Sequence, residues 1–69
     1  MEITVNGKTV SLNKEININE LLQELKVETP EYVTVQINEE IIGREDFQSR
    51  IIRDGDSVEF LYFMGGGAL

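Results

Sequence analysis

The sequence predicts an α+β fold: a mixed sheet of four to five strands with one main helix packed across one face. Three observations carry this. Apolar residues alternate with polar ones near both ends of the chain, as in Ile3 and Val5 or Val58 and Phe60, which is the period of a half-buried strand. Between these ends Ile18, Leu21, Leu22 and Leu25 fall at i, i+3, i+4 and i+7, one stripe of a helix. Turn pairs rich in Asn, Asp and Gly separate the periodic stretches.

Each element has its own local cause. Asn6-Gly7 is a two-residue hairpin signal, because a type I′ turn needs positive φ at both positions. Residues 2–12 therefore read as a β-hairpin, with Ile3, Val5, Val10 and Leu12 as its apolar side. Asn17 has the side chain of a helix N-cap, and Glu20 stands three residues on, in the capping-box place. Ile16 and Leu21 occupy the positions of a hydrophobic staple around that start. Thr29-Pro30 ends the helix or lies beyond it, since the residue before proline avoids the α region. Tyr32 to Ile37 reads as a third strand, Asn38-Glu39-Glu40 as a turn, and Ile41-Ile42 as a short edge strand. Residues 43–48 make a turn or short helix that drops Phe47 into the core. Asp54-Gly55-Asp56 is a second strong turn, and the last strand runs from Ser57 to about Phe63. The first and last strands of such a unit can lie side by side.

Composition excludes more than it selects. The chain has 69 residues, with 6 Lys+Arg against 13 Asp+Glu, a net charge of −7, and neither Cys, His nor Trp. The length allows one domain. Without Cys or His there is no disulfide, no thiolate, no usual zinc or iron ligand set and no histidine-based triad. The acidic balance disfavours nucleic acid and favours a basic partner surface. No apolar run approaches the ~20 residues of a membrane span. The N-terminal residues read as a strand and not as a signal peptide, so the expectation is a cytoplasmic protein with no membrane partner.

The one shift in composition is the ending Gly65-Gly66-Gly67-Ala68-Leu69. Three of the six glycines sit together there. A glycine triplet has no side chain to bury and the largest backbone entropy to lose. It adds nothing to a core, so the domain reads as residues 1–64 and the tail as residues 65–69. Position alone fits a frayed terminus or a cloning scar. It also fits a thread, since a chain without Cβ atoms can pass through a narrow channel and present its carboxylate to an enzyme.

The rest of the chain turns the balance towards the thread. The run Tyr32-Val33-Thr34-Val35-Gln36-Ile37-Asn38, the segment Ile41-Ile42-Gly43-Arg44-Glu45, the Asp54-Gly55-Asp56 turn and the ending Phe63-Met64-Gly65-Gly66-Gly67 together resemble the ThiS sulfur carriers, which have the ubiquitin-like β-grasp fold. The resemblance spans residues 1 to 67. The Arg44-Glu45 pair, the DGD turn and the terminal glycines are its most specific parts. Gly43 is a departure, because family members often carry proline before the Arg-Glu pair. The related MoaD carriers share the fold and the Gly-Gly end, but the chain reads closer to ThiS.

That resemblance implies a protein that performs no catalysis and binds no cofactor itself. An E1-like adenylating enzyme, using ATP and magnesium, activates the C-terminal glycine carboxylate. A sulfur donor such as a cysteine desulfurase supplies persulfide sulfur. An acceptor synthase, such as thiazole synthase in thiamin biosynthesis, takes the sulfur from the resulting thiocarboxylate. Carried onto this chain, the acceptor is Gly67, with Gly65 and Gly66 as the tail before it. The pattern breaks at Ala68-Leu69, because Gly67 has no free carboxylate while it is bonded to Ala68. Three accounts fit: a pro-form trimmed by a protease, a cloning scar, or a protein that is not a carrier. A ubiquitin-like modifier or a non-catalytic interaction module is the alternative from another class.

Two further sets of residues bear on partners. By strand alternation Val58, Phe60 and Tyr62 share one face, and Glu59, Leu61 and Phe63 share the other. If the first set faces the helix, Leu61 and Phe63 form a candidate docking patch near the tail; covering loops or a reversed face would remove it. The carboxylates of Glu20, Glu24, Glu28, Glu39-Glu40, Glu45-Asp46 and Asp54-Asp56 are scattered and read as a solvated surface. No metal site is expected from them, since the spaced ligand loop of an EF-hand is missing. Arg44, Arg50 and Arg53 are too few for a phosphate groove.

Overall fold

The computed structural model describes residues 1–28 and 30–62, with the backbone alone at Tyr62. The chain opens on the expected hairpin. β1 (Glu2–Val5) and β2 (Lys8–Ser11) pair antiparallel with Ile3 opposite Val10. Asn6 has φ 51° and Gly7 has φ 84°, the two positive values that match a type I′ turn to the strand twist.

β3 (Ile16–Asn17) leads straight into α1 (Ile18–Glu24). The Asn17 side chain accepts a bond from the Glu20 amide at 2.8 Å, and the Glu20 carboxylate accepts one from the Asn17 amide at 2.9 Å. Both halves of the capping box are therefore made. The helix stops well before Pro30, at a cap of its own. Lys26 takes φ 54°, its amide donates to the Gln23 carbonyl, and the Val27 amide donates to the Leu22 carbonyl. This is a Schellman motif, with a lysine where glycine is usual.

β4 (Val33–Ile37) and β5 (Glu40–Ile42) form the second hairpin. Asn38 and Glu39 alone make its turn, with φ 51° and 71°. Glu40 thus belongs to the strand and not to the turn. Tyr32 likewise is not the first residue of the strand but the last of a 3₁₀ turn, Pro30–Tyr32. A second 3₁₀ turn, Arg44–Asp46, delivers Phe47 to the core. β6 (Ile51–Ile52) pairs with β3, Ile16 opposite Ile52. Sequence periodicity did not reveal this two-residue ladder, because no alternation can be read from two residues.

β7 (Ser57–Tyr62) completes the main sheet in the order β2-β1-β7-β4-β5. It runs parallel to β1 and antiparallel to β4, which makes the sheet mixed. With one α-helix and a mixed five-stranded sheet, the architecture is a ubiquitin-like β-grasp. Ile18, Leu21 and Leu22 of the helix join Ile3, Val5, Val33, Val35, Ile37, Val58 and Phe60 of the strands in one buried cluster. Full burial of such side chains is worth roughly 1.5–3 kcal/mol each.

One carboxylate departs from the solvated-surface reading. Asp56 is 8 % exposed. It accepts from the Asn38 side chain at 3.0 Å and the Arg53 amide at 2.8 Å, and Arg50 lies 3.7 Å away. Asn38 also accepts from the Ser57 amide. Two turns distant in sequence are thereby tied together, and the buried acid is satisfied.

Gly43 sits at φ −70° and ψ 152°, which is the proline region of the backbone. A Cβ there would meet only the Glu45 carboxylate, at 2.6 Å, and that is the movable end of a side chain. The Gly43→Pro variant is therefore expected to be more stable by about 0.4–1 kcal/mol through the unfolded state, read as a raised midpoint in urea.

Candidate functional site

Gly65, Gly66, Gly67, Ala68, Leu69 and Phe63 lie outside the described residues. The root of the tail does not. Val33 pairs with Tyr62, so the start of β4 and the end of β7 stand side by side. From Tyr62 to Gly67 is five residues, which covalent geometry limits to about 17 Å of reach. Any enzyme acting on Gly67 must come this close to the pair.

The open face of the sheet is the surface beside that root. Alternation and pairing place Thr34 and Gln36 of β4, Ser57, Glu59 and Leu61 of β7, Thr4 of β1 and Ile41 of β5 on it. In the described part of β7 the alternation puts Val58 and Phe60 inward, where they are buried, and leaves Glu59 exposed; the Tyr62 side chain and Phe63 lie outside the described residues. Leu61 is half-buried, standing opposite Thr34. Ile41 is 65 % exposed and was not anticipated as part of the face. None of these positions carries Lys or Arg. The face thus offers two apolar side chains among hydroxyls, an amide and a carboxylate.

Behind the root stands a rigid support. The Arg44 guanidinium donates from Nη2 to the carbonyls of Pro30 and Val33, both at 3.0 Å. Its carbon lies 5.4 Å from the centre of the Phe47 ring, within cation–π range. One charged fork therefore closes both ends of the 3₁₀ turn that carries Tyr32. Tyr32 itself is 70 % exposed. No spacing pattern signals that an arginine after a Gly will reach back to an earlier turn. Only its place in the Arg44-Glu45 pair drew notice.

The described residues hold no group of three or more acidic side chains placed for a metal ion. A hollow between α1 and Gln48 is lined by amide side chains, by Glu20 and Lys26, and by Leu22, Val27 and Pro30. Among the described residues no helix is long and apolar enough to cross a membrane.

Helix, strand order and mixed sheet together define a ubiquitin-like β-grasp protein. Comparison gives the family: a ThiS family model matches residues 1–67, and the chain belongs to the ThiS family. It is 36% identical over 66 residues to the sulfur carrier protein ThiS of Bacillus subtilis, covering 94% of this chain and 98% of that one. It is 31% identical over 68 residues to a thiazole synthase of Paramagnetospirillum magneticum, where it spans 21% of the relative's length. A crystal structure of the thiamine biosynthesis protein ThiS from Geobacter metallireducens matches with TM-score 0.90 and 52% identity, covering 97% of this chain and all of that one. A solution structure of a thiamine biosynthesis protein from the same organism matches at TM-score 0.77 and 55% identity, covering all of this chain and 91% of that one.

The Arg44 fork makes a local prediction. In Arg44→Gln the Pro30 and Val33 carbonyls lose their shared donor, which is expected to cost about 1–2 kcal/mol. Hydrogen exchange at the Tyr32 and Val33 amides should quicken well before that of β7, as measured by NMR.

Proposed function

We propose that this chain is a sulfur carrier of thiamine biosynthesis, with Gly67 as the residue that carries sulfur. The observation that supports it best is the extent of the family match, which runs through the last of the three glycines and stops before Ala68. The chain itself supplies no catalytic group. It supplies a carbonyl after a run of glycines and a body to be gripped.

The chemistry runs on partner enzymes. The Gly67 carboxylate attacks the α-phosphorus of magnesium-bound ATP in an E1-like enzyme, giving the acyl-adenylate and pyrophosphate. The terminal sulfur of a persulfide, supplied through a donor such as a cysteine desulfurase, then attacks the acyl carbon. The C–S bond forms as the C–O bond to AMP breaks. Cleavage of the S–S bond by a further thiol leaves the thiocarboxylate. The likeness to part of a thiazole synthase supports an acceptor synthase of that class. Gly65 and Gly66 let the end pass a narrow channel, since neither presents a Cβ. While Ala68-Leu69 remain, the carboxylate is two residues away from the acceptor carbon, so Gly67 can be adenylated only in a chain from which those two residues are absent or have been trimmed.

Intact mass tests this directly. The chain ending at Gly67 and the 69-residue chain are incubated in parallel with adenylating enzyme, magnesium-ATP and a sulfur source. Exchange of one oxygen for sulfur is expected only on the shorter chain. Thiocarboxylate on the untrimmed chain would sink the trimming step.

Leu61, on the open face, and Phe63, two residues on in the sequence, are the proposed docking residues. Leu61→Asp is expected to raise the KM of the adenylating enzyme for the chain about tenfold, as interface anchors do. The circular dichroism spectrum should stay that of the folded chain. An unchanged KM would remove Leu61 from the interface.

A further inference from the structure

We infer that Tyr32 is a second anchor for the adenylating enzyme, gripped at the root of the tail and separate from the open-face patch. The inference rests on the carrier reading and adds to it a residue that determines partner specificity. Four observations converge on it.

Tyr32 is a large aromatic side chain left 70 % exposed, in a chain whose other aromatic residues with described side chains, Phe47 and Phe60, are buried. Its place in the fold is particular. It directly precedes Val33, and Val33 is paired with Tyr62, the last described residue before the tail. Gly67 is at most about 17 Å of chain from that pair. An enzyme holding Gly67 in its active site therefore lies within about 17 Å of the pair, and Tyr32 is the exposed aromatic side chain next to it in the chain.

The side chain is also presented on a held support. The Arg44 fork binds the carbonyls on both sides of the 3₁₀ turn, Pro30 and Val33. Preorganisation of this kind lowers the ordering cost of association. A tyrosine with two side-chain torsions on a held turn offers large contact area at small entropic cost, which is why tyrosine is enriched at interface hot spots. The surrounding charge states the partner's chemistry. Glu28 and Glu31 are exposed on the same connection, and the chain carries a net charge of −7. The complementary surface is an apolar slot with basic residues at its rim, at the mouth of the tail channel.

Steady-state adenylation, followed as ATP–pyrophosphate exchange, tests this with the chain ending at Gly67. Tyr32→Ala is expected to raise KM about tenfold while kcat stays within twofold and the thermal midpoint is unchanged. Tyr32→Phe, which keeps the ring, should restore KM to within about threefold of wild type. A structural role for Tyr32 would instead lower the thermal midpoint and leave KM alone, and that overturns the inference. So does an unchanged KM in Tyr32→Ala when the wild-type chain exchanges normally. Absence of exchange with the wild-type chain removes the carrier reading, and this inference with it.

Discussion

The structure depends on the seating of β7 between β1 and β4. Among the described residues β7 alone links the two hairpins of the main sheet. On one side it runs parallel to β1, with Val5 beside Val58; on the other it runs antiparallel to β4, with Val35 beside Phe60. The turn before it is bolted to the first strand as well. The Glu2 amide donates to the Asp54 carboxylate at 2.7 Å, the Gly55 amide donates to the Glu2 carbonyl at 2.7 Å, and the Thr4 amide donates to the Asp56 carbonyl at 3.0 Å. Asn6, from the first hairpin turn, accepts the Phe60 amide at 2.9 Å. Bonds spanning nearly the whole sequence therefore set the register of this strand. A slip of one residue would turn Val58 and Phe60 outward and Glu59 inward, which the buried cluster forbids.

The same constraint sets where the chain leaves the sheet. Because β7 is central and antiparallel to β4, its exit lies beside the start of β4. The turn held by Arg44 is the segment that feeds that start. The tail root, Leu61 of the open face and Tyr32 thus share one end of the sheet by topology. Asp56 adds a second tie: through Asn38 it joins the β4–β5 turn to the turn that launches β7. Burying a carboxylate is costly unless it is fully bonded, and here its partners are backbone and side-chain donors from both turns.

What was legible in the sequence was what periodicity and local chemistry encode. Asn6-Gly7, the Asn17–Glu20 box and the β7 alternation each contain their own cause within a few residues. The glycine triplet stood out because nothing in a core could explain it, and it lies outside the described residues. What stayed hidden depends on contacts between distant segments. Asp56 looked like one more surface acid, since its burial comes from Asn38 and Arg50 meeting it in space. Arg44 stood out only as part of a motif, since the carbonyls it binds come from an earlier turn. Tyr32 looked like a strand residue, because β-propensity continues through it into Val33 while the fork from Arg44 holds it in a 3₁₀ turn. Ile41 looked like ordinary edge-strand filling, and only the pairing with Gln36 puts it on the open face.

Energetics explain why a carrier with a glycine tail needs so much body. Fixing the backbone of one residue costs roughly 1–2 kcal/mol, and glycine loses the most. Holding the five residues from Phe63 to Gly67 in a channel therefore costs on the order of 5–10 kcal/mol. The three glycines return little of this, because they have no side chains to bury. The deficit has to be met by surface that is already ordered. Such surface binds without a folding penalty, and the two proposed anchors near the root, Leu61 on the open face and Tyr32 on a turn closed by arginine, are surface of that kind. A tail slim enough to enter the active site is for that reason too poor in contacts to be recognised alone, and the rigid sheet end behind it is the part an enzyme can recognise.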